Sequence, residues 1–161
     1  MTNTTRPAAV LVLLYPDETG DARVLLTERA TGGAHHSGEV SFPGGKAEPD
    51  DADATATALR ESEEEVGLDP AAVGLVVVGQ LDPVWIPVSG FRLTPVLAVA
   101  EHRPDYRPEP HEVNRILEPP LGAFAPPARI EIVERAFGER LIRFGAYPWD
   151  GLLVWGATAR V

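Results

Sequence analysis

Residues 42–68, FPGGKAEPDDADATATALRESEEEVGL, decide the fold of this chain. The stretch opens on a pair of glycines, continues as an acidic segment and stops at Gly67. Its last carboxylates, Glu61, Glu64 and Glu65, are spaced i, i+3 and i+4, so on an α-helix they project within about 100° of one another. The spacing therefore predicts a helix that carries three negative charges on one face.

This helix is predicted to have marked ends and a buried side. Asp50, Asp51 and Asp53 are candidates for the N-cap and first turn, and Gly67 is placed for a left-handed C-terminal stop. The side predicted to pack against the core carries small and apolar residues: Ala52, Thr55, Ala56, Leu59, Ser62 and Val66. The glutamates on the opposite side are then expected to face a cleft.

The crowded carboxylates need positive charge from outside the helix. Like charges at this spacing repel, and the only basic residue between Glu48 and Leu68 is Arg60. A hard divalent cation, Mg²⁺ or Mn²⁺, is the simplest source because it prefers oxygen ligands. The alternative is a solvated acidic surface, which is common on helices. The preceding glycine turn at residues 44–45, which allows a ligand to approach the backbone, favours a binding site.

The composition fits one globular domain spanning residues 1–161, large enough to bury a core. The chain has no cysteine, which excludes disulfides, thiolate metal sites and cysteine nucleophiles and fits a cytoplasmic location. Its formal net charge of -10 repels nucleic acid and anionic membranes, so we expect neither as a partner. Small phosphate esters stay possible, because a metal and a few arginines can neutralise them locally.

The remaining apolar patterns predict a mixed α/β fold. Strands are predicted at residues 8–15, 23–27, 39–42, 75–78, 93–100, 130–133 and 141–144, the first two paired as a hairpin. We predict loops at residues 31–38 and 103–127, the second with a short ordered element near residues 113–117. Residues 151–160 are predicted to form a terminal helix that packs through Leu152, Trp155 and Ala159.

Residues 60–68, RESEEEVGL, resemble the second half of the box that marks the Nudix hydrolases, G-x5-E-x7-R-E-U-x-E-E-x-G-U, in which U is apolar. Ser62 stands where an apolar residue is usual, Ala52 occupies the place of the first glutamate, and Gly45 lies one residue early. The resemblance implies an α/β/α sandwich with a mixed sheet, a central acidic helix and a C-terminal helix.

Upstream residues resemble the signature of the coenzyme A diphosphatase branch, L-L-T-x-R-[SA]-x3-R-x3-G-x3-F-P-G-G. The matching residues are 25–30 (LLTERA), Gly38 and 42–45 (FPGG), while Ala34 replaces the second arginine. His35 and His36 are candidates for that lost contact or are solvent-exposed loop residues. The resemblance implies cleavage of coenzyme A or its thioesters into 4′-phosphopantetheine, or its acyl form, and adenosine 3′,5′-bisphosphate.

Each acidic residue of the site receives an expected role. Glu61 and Glu65, one turn apart, are predicted to bind a common Mg²⁺ or Mn²⁺ ion, and the carbonyl of Gly45 can complete its coordination. Glu64 is a third ligand, a ligand of a second ion, or the acceptor of a proton from water. The resemblance implies that the base can also lie on a later loop, where Glu112 is the candidate and an ordinary loop glutamate is the alternative.

The sequence also predicts roles for three basic residues and a class of substrate. Arg29, from the upstream signature, and Lys46 are predicted to bind phosphate, and Arg60 is predicted to orient a liganding carboxylate. The substrate is expected to be a small nucleoside diphosphate derivative, with coenzyme A favoured. Ala34 keeps open another such substrate, ADP-ribose or a dinucleotide, and a ligand sensor without catalysis is a further alternative. Both a monomer and a homodimer fit the sequence.

Overall fold

The computed structural model describes residues 5–31 and 38–161 as a mixed α/β fold. The strands and helices, numbered separately along the chain, are β1 Arg6–Pro16, β2 Ala22–Val24, β3 Leu26–Arg29, β4 Val40–Ser41, β5 Gly44–Lys46, α1 Ala54–Val66, β6 Val76–Gln80, β7 Val84–Ile86, β8 Phe91–Val99, β9 Val113–Leu117, β10 Glu131–Phe137, β11 Arg140–Trp149, β12 Leu152–Val154 and α2 Gly156–Arg160. A short 3₁₀ helix lies at Leu121–Phe124. None of the described helices is long and apolar enough to cross a lipid bilayer.

The main sheet is built around β1, the continuous apolar run near the start of the chain. β1 pairs parallel with β8 and antiparallel with β2 and β5, while β6 and β7 both pair antiparallel with β8. Residues 8–13 of β1 are all buried, which is why no polar residue interrupts the run. A smaller sheet has the order β4-β3-β9, and a third has the order β10-β11-β12.

Helix α1 shares one apolar cluster with the main sheet. Ala58 and Val66 are fully buried in this cluster together with Leu11 and Val96 from β1 and β8. Ser62, where the Nudix pattern has an apolar residue, is also fully buried, and its hydroxyl donates to the carbonyl of Ala58 at 2.7 Å. This bond satisfies the hydroxyl within the helix, so the serine fits an apolar position.

The ends of α1 confirm the predicted caps. Asp53 is the N-cap, and its carboxylate accepts the backbone N–H of Ala56 at 2.8 Å. Gly67 ends the helix in the left-handed region with φ 68°, and its N–H donates to the carbonyl of Glu63 at 2.9 Å. A Cβ atom at Gly67 would also lie 2.9 Å from Cβ of Arg107.

Gly67→Ala is expected to lower the free energy of unfolding by about 2 kcal/mol, because left-handed strain adds to the close contact. Chemical denaturation of the purified protein measures this difference. Gly20→Ala is the matched control, since Gly20 also has a positive φ but a Cβ atom there would meet nothing within 4 Å. Equal losses for the two variants would show that the contact with Arg107 contributes nothing.

The buried side of α1 differs from the predicted one. Ala52 precedes the helix and is exposed, whereas Thr57 and Ala58 are fully buried. The helix starts only at Ala54, and its buried residues follow the i, i+4 row that runs through Ala58 to Val66. Ser62 and Val66 are buried as predicted, whereas the prediction wrongly included Ala52 and left out Thr57 and Ala58.

Three other predictions about local structure were wrong. Residues 151–160 do not form one helix, because Gly151 and Gly156 have φ values of 77° and 64°, and β12 pairs with β11 before the short α2 begins. The predicted strand at residues 23–27 is interrupted at Leu25, after which β3 joins a different sheet. The glycines at residues 44–45 lie in strand β5 instead of a turn.

Candidate active site

The three glutamates of α1 lie where the last two turns of the helix meet β5. Glu61 is largely enclosed, with a side chain 16% exposed, while the side chain of Glu64 is 54% exposed. Glu65 is half-buried and accepts a hydrogen bond from the backbone N–H of Gly44. The three acids are therefore grouped as predicted. Glu61 and Glu65 lie against the β5 backbone, and Glu64 faces solvent.

Two glycines make this close approach possible. A Cβ atom at Gly45 would lie 2.6 Å from the carboxylate carbon of Glu61. At Gly44, with φ 159°, a Cβ atom would lie 2.2 Å from the carbonyl oxygen of Ala9 on β1. A side chain at Gly44 would push the backbone of β1 away, and one at Gly45 would push the Glu61 carboxylate aside, so the acidic cluster depends on both glycines.

Arg60 connects the cluster to the start of the helix. Its guanidinium donates twice to Asp51, at 3.0 and 2.9 Å, and once to Glu61 Oε1 at 3.1 Å. Weaker contacts at 3.4 Å reach Glu64, and Nη2 donates to the backbone carbonyl of Lys46 at 3.1 Å. Arg60 therefore holds the Glu61 carboxylate in place, as the sequence predicted.

Asp51 is the site residue whose role the sequence analysis missed. It was expected at the start of the helix, yet its carboxylate forms the fork with Arg60 and also accepts the Thr57 hydroxyl at 2.9 Å. The hydrogen bonds from Arg60 hold the pKa of Asp51 well below its usual value. Asp51 and Glu61, ten residues apart, thus share one arginine, and only the adjacency of Arg60 and Glu61 was visible in the local sequence.

Burial makes ionisation of the inner acids unfavourable. The pKa of Glu65 is raised to about 8, mainly by desolvation and in addition by the charges of Glu61 and Glu112, against the opposing effects of Arg29 and the Gly44 N–H. Desolvation also raises the pKa of Glu61, although Arg60 partly offsets it. The nearby arginines therefore do not fully offset the burial of Glu61 and Glu65.

The loop before β9 brings Glu112 to the same place. The backbone N–H groups of Arg107 and Glu109 donate at 2.8 Å to the last helical carbonyls, those of Val66 and Glu65. The N–H of Ala30 donates to the Glu112 carbonyl at 3.0 Å, which ties the end of β3 to this loop. Main-chain bonds thus position Glu112 close enough to raise the pKa of both Glu61 and Glu65.

The predicted phosphate-binding residues border the acidic cluster from two sides. Arg29, at the end of β3, lies close enough to Glu65 to lower its pKa. Lys46 is exposed and lines an open cavity of about 430 Å³ together with Pro7, Ala47, Glu48, Pro49 and Glu61. Ala34, His35 and His36 lie outside the described residues.

The donor set fits a hard divalent cation. Carboxylate and backbone carbonyl oxygens are the ligands that Mg²⁺ and Mn²⁺ prefer, and the charges of neighbouring acids raise the pKa of both Glu61 and Glu65. Within residues 5–31 and 38–161, no three Asp, Glu or His side chains already converge as a metal cage, and Arg60 contacts both Glu61 and Glu64. The structure thus supplies the chemistry of the site without a finished coordination shell.

The structure predicts that alkaline pH destabilises the metal-free protein. The pKa of Glu65 is raised from its usual 4.5 to about 8 in the folded protein, so folding favours the neutral form. The free energy of unfolding therefore decreases as the pH rises from 4.5 to about 8. In EDTA, the melting temperature should fall from pH 5.5 to 8.5, and Glu65→Gln should reduce that fall. The groups with lowered pKa values, such as Glu118, titrate below this window.

Glu63→Gln is the control for this measurement. Glu63 is exposed on the same helix, and its substitution removes the same negative charge. It should melt with the pH dependence of the unchanged protein. If Glu65→Gln and Glu63→Gln gave identical profiles, the half-buried Glu65 carboxylate would not be a source of the instability.

Comparison with known proteins shows which family contains this site. The NUDIX domain family matches residues 5–135, which include β1, the glycine strand, α1 and Glu112. The chain belongs to the Nudix family. The match confirms the family resemblance that the sequence carried.

Two curated relatives illustrate the extent of the Nudix similarity. Nudix hydrolase 15, mitochondrial, of Arabidopsis thaliana is 40% identical over 160 residues, covering 96% of this chain and 55% of the plant protein. The uncharacterized Nudix hydrolase NudL of Escherichia coli (strain K12) is 37% identical over 164 residues, covering 97% of this chain and 79% of NudL. The chain thus spans about half the length of the plant relative.

Solved Nudix structures confirm the mixed α/β fold. A Nudix hydrolase from M. smegmatis, RenU, superposes with a TM-score of 0.62 at 26% identity, covering 74% of this chain and 73% of RenU. A C. elegans Ap4A hydrolase in a binary complex superposes with a TM-score of 0.57 at 20% identity, covering 69% of this chain and 77% of the hydrolase chain. The second similarity concerns the fold alone.

Proposed function

We propose that this Nudix domain hydrolyses the pyrophosphate bond of coenzyme A or its thioesters with Mg²⁺ or Mn²⁺. The products are 4′-phosphopantetheine, or its acyl form, and adenosine 3′,5′-bisphosphate. The observation that carries the proposal is that both parts of the upstream motif meet at one carboxylate. Arg29 lowers the pKa of Glu65, and Gly44 donates its N–H to the same side chain.

In the proposed reaction, Glu61 and Glu65 would hold the cation, with Glu64 and the Gly45 carbonyl as further oxygen donors. When bound, the cation would neutralise charge on the diphosphate and lower the pKa of water. Arg60 keeps the Glu61 carboxylate oriented through its hydrogen bond of 3.1 Å.

Other side chains accept the proton of the attacking water and bind the phosphate oxygens. Glu64 or Glu112 accepts the proton of the attacking water, whose oxygen forms a new bond to one phosphorus while the bridging P–O bond breaks. Glu64 is the more exposed of the three helical acids, and Glu112 is close to the inner pair. Arg29 binds non-bridging oxygens as a planar fork, and Lys46 binds them as a point charge from the open cavity.

A second candidate is hydrolysis of another nucleoside diphosphate derivative, ADP-ribose or a dinucleotide. Ala34 favours it, because the coenzyme A signature has an arginine at this position. The NUDIX domain of Shewanella oneidensis NrtR was crystallised with ADP ribose, but at 17% identity its similarity to this chain concerns the fold alone. A sensor without catalysis is disfavoured, because Glu61, Glu64 and Glu65 are all retained.

One assay distinguishes these functions. The purified protein is incubated with Mg²⁺ and, separately, coenzyme A, ADP-ribose, a diadenosine polyphosphate and nucleoside triphosphates, and the products are separated by chromatography. We expect the highest kcat/KM for coenzyme A and no turnover in EDTA. A preference for ADP-ribose or the dinucleotide would overturn the coenzyme A assignment, and ligand binding without turnover of any compound would overturn the hydrolase proposal.

A further inference from the structure

Strands β10 and β11 form a two-stranded antiparallel arm, residues 130–145, with one partly covered face, on which Phe137 and Ile142 are still 44% exposed, and one open face. In the described part of the chain, β10 pairs only with β11. The covered face packs on Trp155: the ring of Phe144 stacks on it at a centroid distance of 4.7 Å, and the Arg135 guanidinium lies 5.2 Å from its centroid. An isolated two-stranded ribbon is marginally stable, so the open face lacks an expected packing partner.

The strand register defines the open face. Opposed pairs are Ile132 with Gly145, Glu134 with Arg143, and Ala136 with Leu141, and alternate residues of a strand share a face. The side chains of Ile132 and Leu141 are 59% and 69% exposed, on either side of the central charged pair. The open face therefore combines exposed apolar side chains with two small residues.

The charges of the arm also differ from those of the whole chain. Residues 129–145 contain four arginines and three glutamates, in a protein of net charge -10. Arg143 Nε and Glu134 Oε1 are 4.0 Å apart at the centre of the open face, and both side chains are more than half exposed. Two copies of the protein repel each other over most of their surface but much less at this arm.

We infer that the open face of the arm docks on the same face of a second copy of this chain. A two-fold axis parallel to the strands, passing between the two stacked arms, places Glu134 of each copy opposite Arg143 of the other. The same axis places Leu141 opposite Ala136, so that a large apolar side chain meets a small residue. It also places Ile132 opposite Gly145, beside which the exposed Ile130 adds a further apolar contact. Such self-complementarity is what an isologous interface requires, and it favours a second copy over an unrelated protein.

Charge reversal tests this contact between copies. In sedimentation velocity at tens of micromolar, the unchanged protein should have twice the 17.3 kDa mass of one chain. Glu134→Arg and Arg143→Glu each place like charges opposite one another, and each variant alone should be monomeric. An equimolar mixture of the two variants should regain the doubled mass, because each reversed charge then meets an opposite charge on the other copy.

The mixture is decisive because mixing leaves the like-charged pair within each arm unchanged. Recovery of the dimer therefore reports on contact between copies only. A monomeric unchanged protein, or a mixture that stays monomeric while the unchanged protein is dimeric, would overturn the inference.

Two further variants guard against loss of folding and non-specific effects. Leu141→Ser removes an exposed side chain without adding charge, and we expect it to raise the dissociation constant at least about tenfold. Val78→Glu is the matched control, because Val78 is 60% exposed on β6, outside the arm. Val78→Glu should stay dimeric, and a monomeric Val78→Glu with a dimeric Leu141→Ser would place the interface elsewhere.

Discussion

Glu61→Gln is expected to lower kcat for Mg²⁺-dependent hydrolysis by about a thousandfold, while the melting temperature without metal changes little. Glutamine keeps the volume of the side chain and an oxygen that accepts the hydrogen bond from Arg60, now 3.1 Å from Glu61. It removes the negative charge that the cation needs. Steady-state kinetics with a coenzyme A substrate and thermal melting in EDTA measure the two effects.

Glu63→Gln serves as the matched control for this prediction as well, because Glu63 is exposed on α1 and lies outside the acidic cluster. The control should keep its activity within about twofold, since exposed charges contribute little. Melting scans with added Mg²⁺ provide a second readout: the metal should stabilise the control and fail to stabilise Glu61→Gln. Full activity of Glu61→Gln would remove this residue from the metal site.

Gly45→Ala is expected to lower kcat/KM by about a hundredfold, because a displacement of catalytic groups by about 1 Å has effects of this size. The added Cβ atom would lie 2.6 Å from the Glu61 carboxylate carbon and must push that carboxylate aside. Since the φ of Gly45 is not left-handed, backbone strain makes no contribution. The melting temperature should fall only slightly, because the end of the Glu61 side chain can move.

The comparison for Gly45→Ala is Gly79→Ala in strand β6. Gly79 also lacks a positive φ, and a Cβ atom there would meet nothing within 4 Å. This substitution should leave kcat/KM unchanged. An active Gly45→Ala enzyme would show that the contact between β5 and Glu61 is not required for catalysis.

The acidic helix could be predicted because its determinants are local in sequence. Asp53 and Gly67 act as caps through their own short-range geometry, and the i, i+3, i+4 spacing of the glutamates is a property of any helix. The buried row through Ala58 could not be placed as well, since it depends on where the main sheet lies relative to the helix.

The C-terminal region shows what local patterns leave undetermined. Leu152, Trp155 and Ala159 have spacing that fits a helix, but pairing with β11 places Leu152 in a strand. Trp155, expected to be a core residue, stacks on Phe144 of the arm instead of joining the two apolar clusters. Tertiary pairing overrides helical spacing in such short segments.

The candidate site was predictable in its residues and less so in its electrostatics. The motif spacing named Glu61, Glu64, Glu65 and Arg29, but the raised pKa of Glu65 results from tertiary burial. Preference for coenzyme A, the roles of the individual acids and a cytoplasmic location remain predictions.

The attachment of the Glu112 loop to the end of α1 bears on how this Nudix domain could come to bind new ligands. The N–H groups of Arg107 and Glu109 reach the helix through the main chain alone, and such bonds tolerate almost any side chain except proline. Mutations along this proline-rich segment can therefore reshape the surface that meets the substrate while Glu112 keeps its place. Specificity and catalysis can thus diverge independently within one short piece of polypeptide.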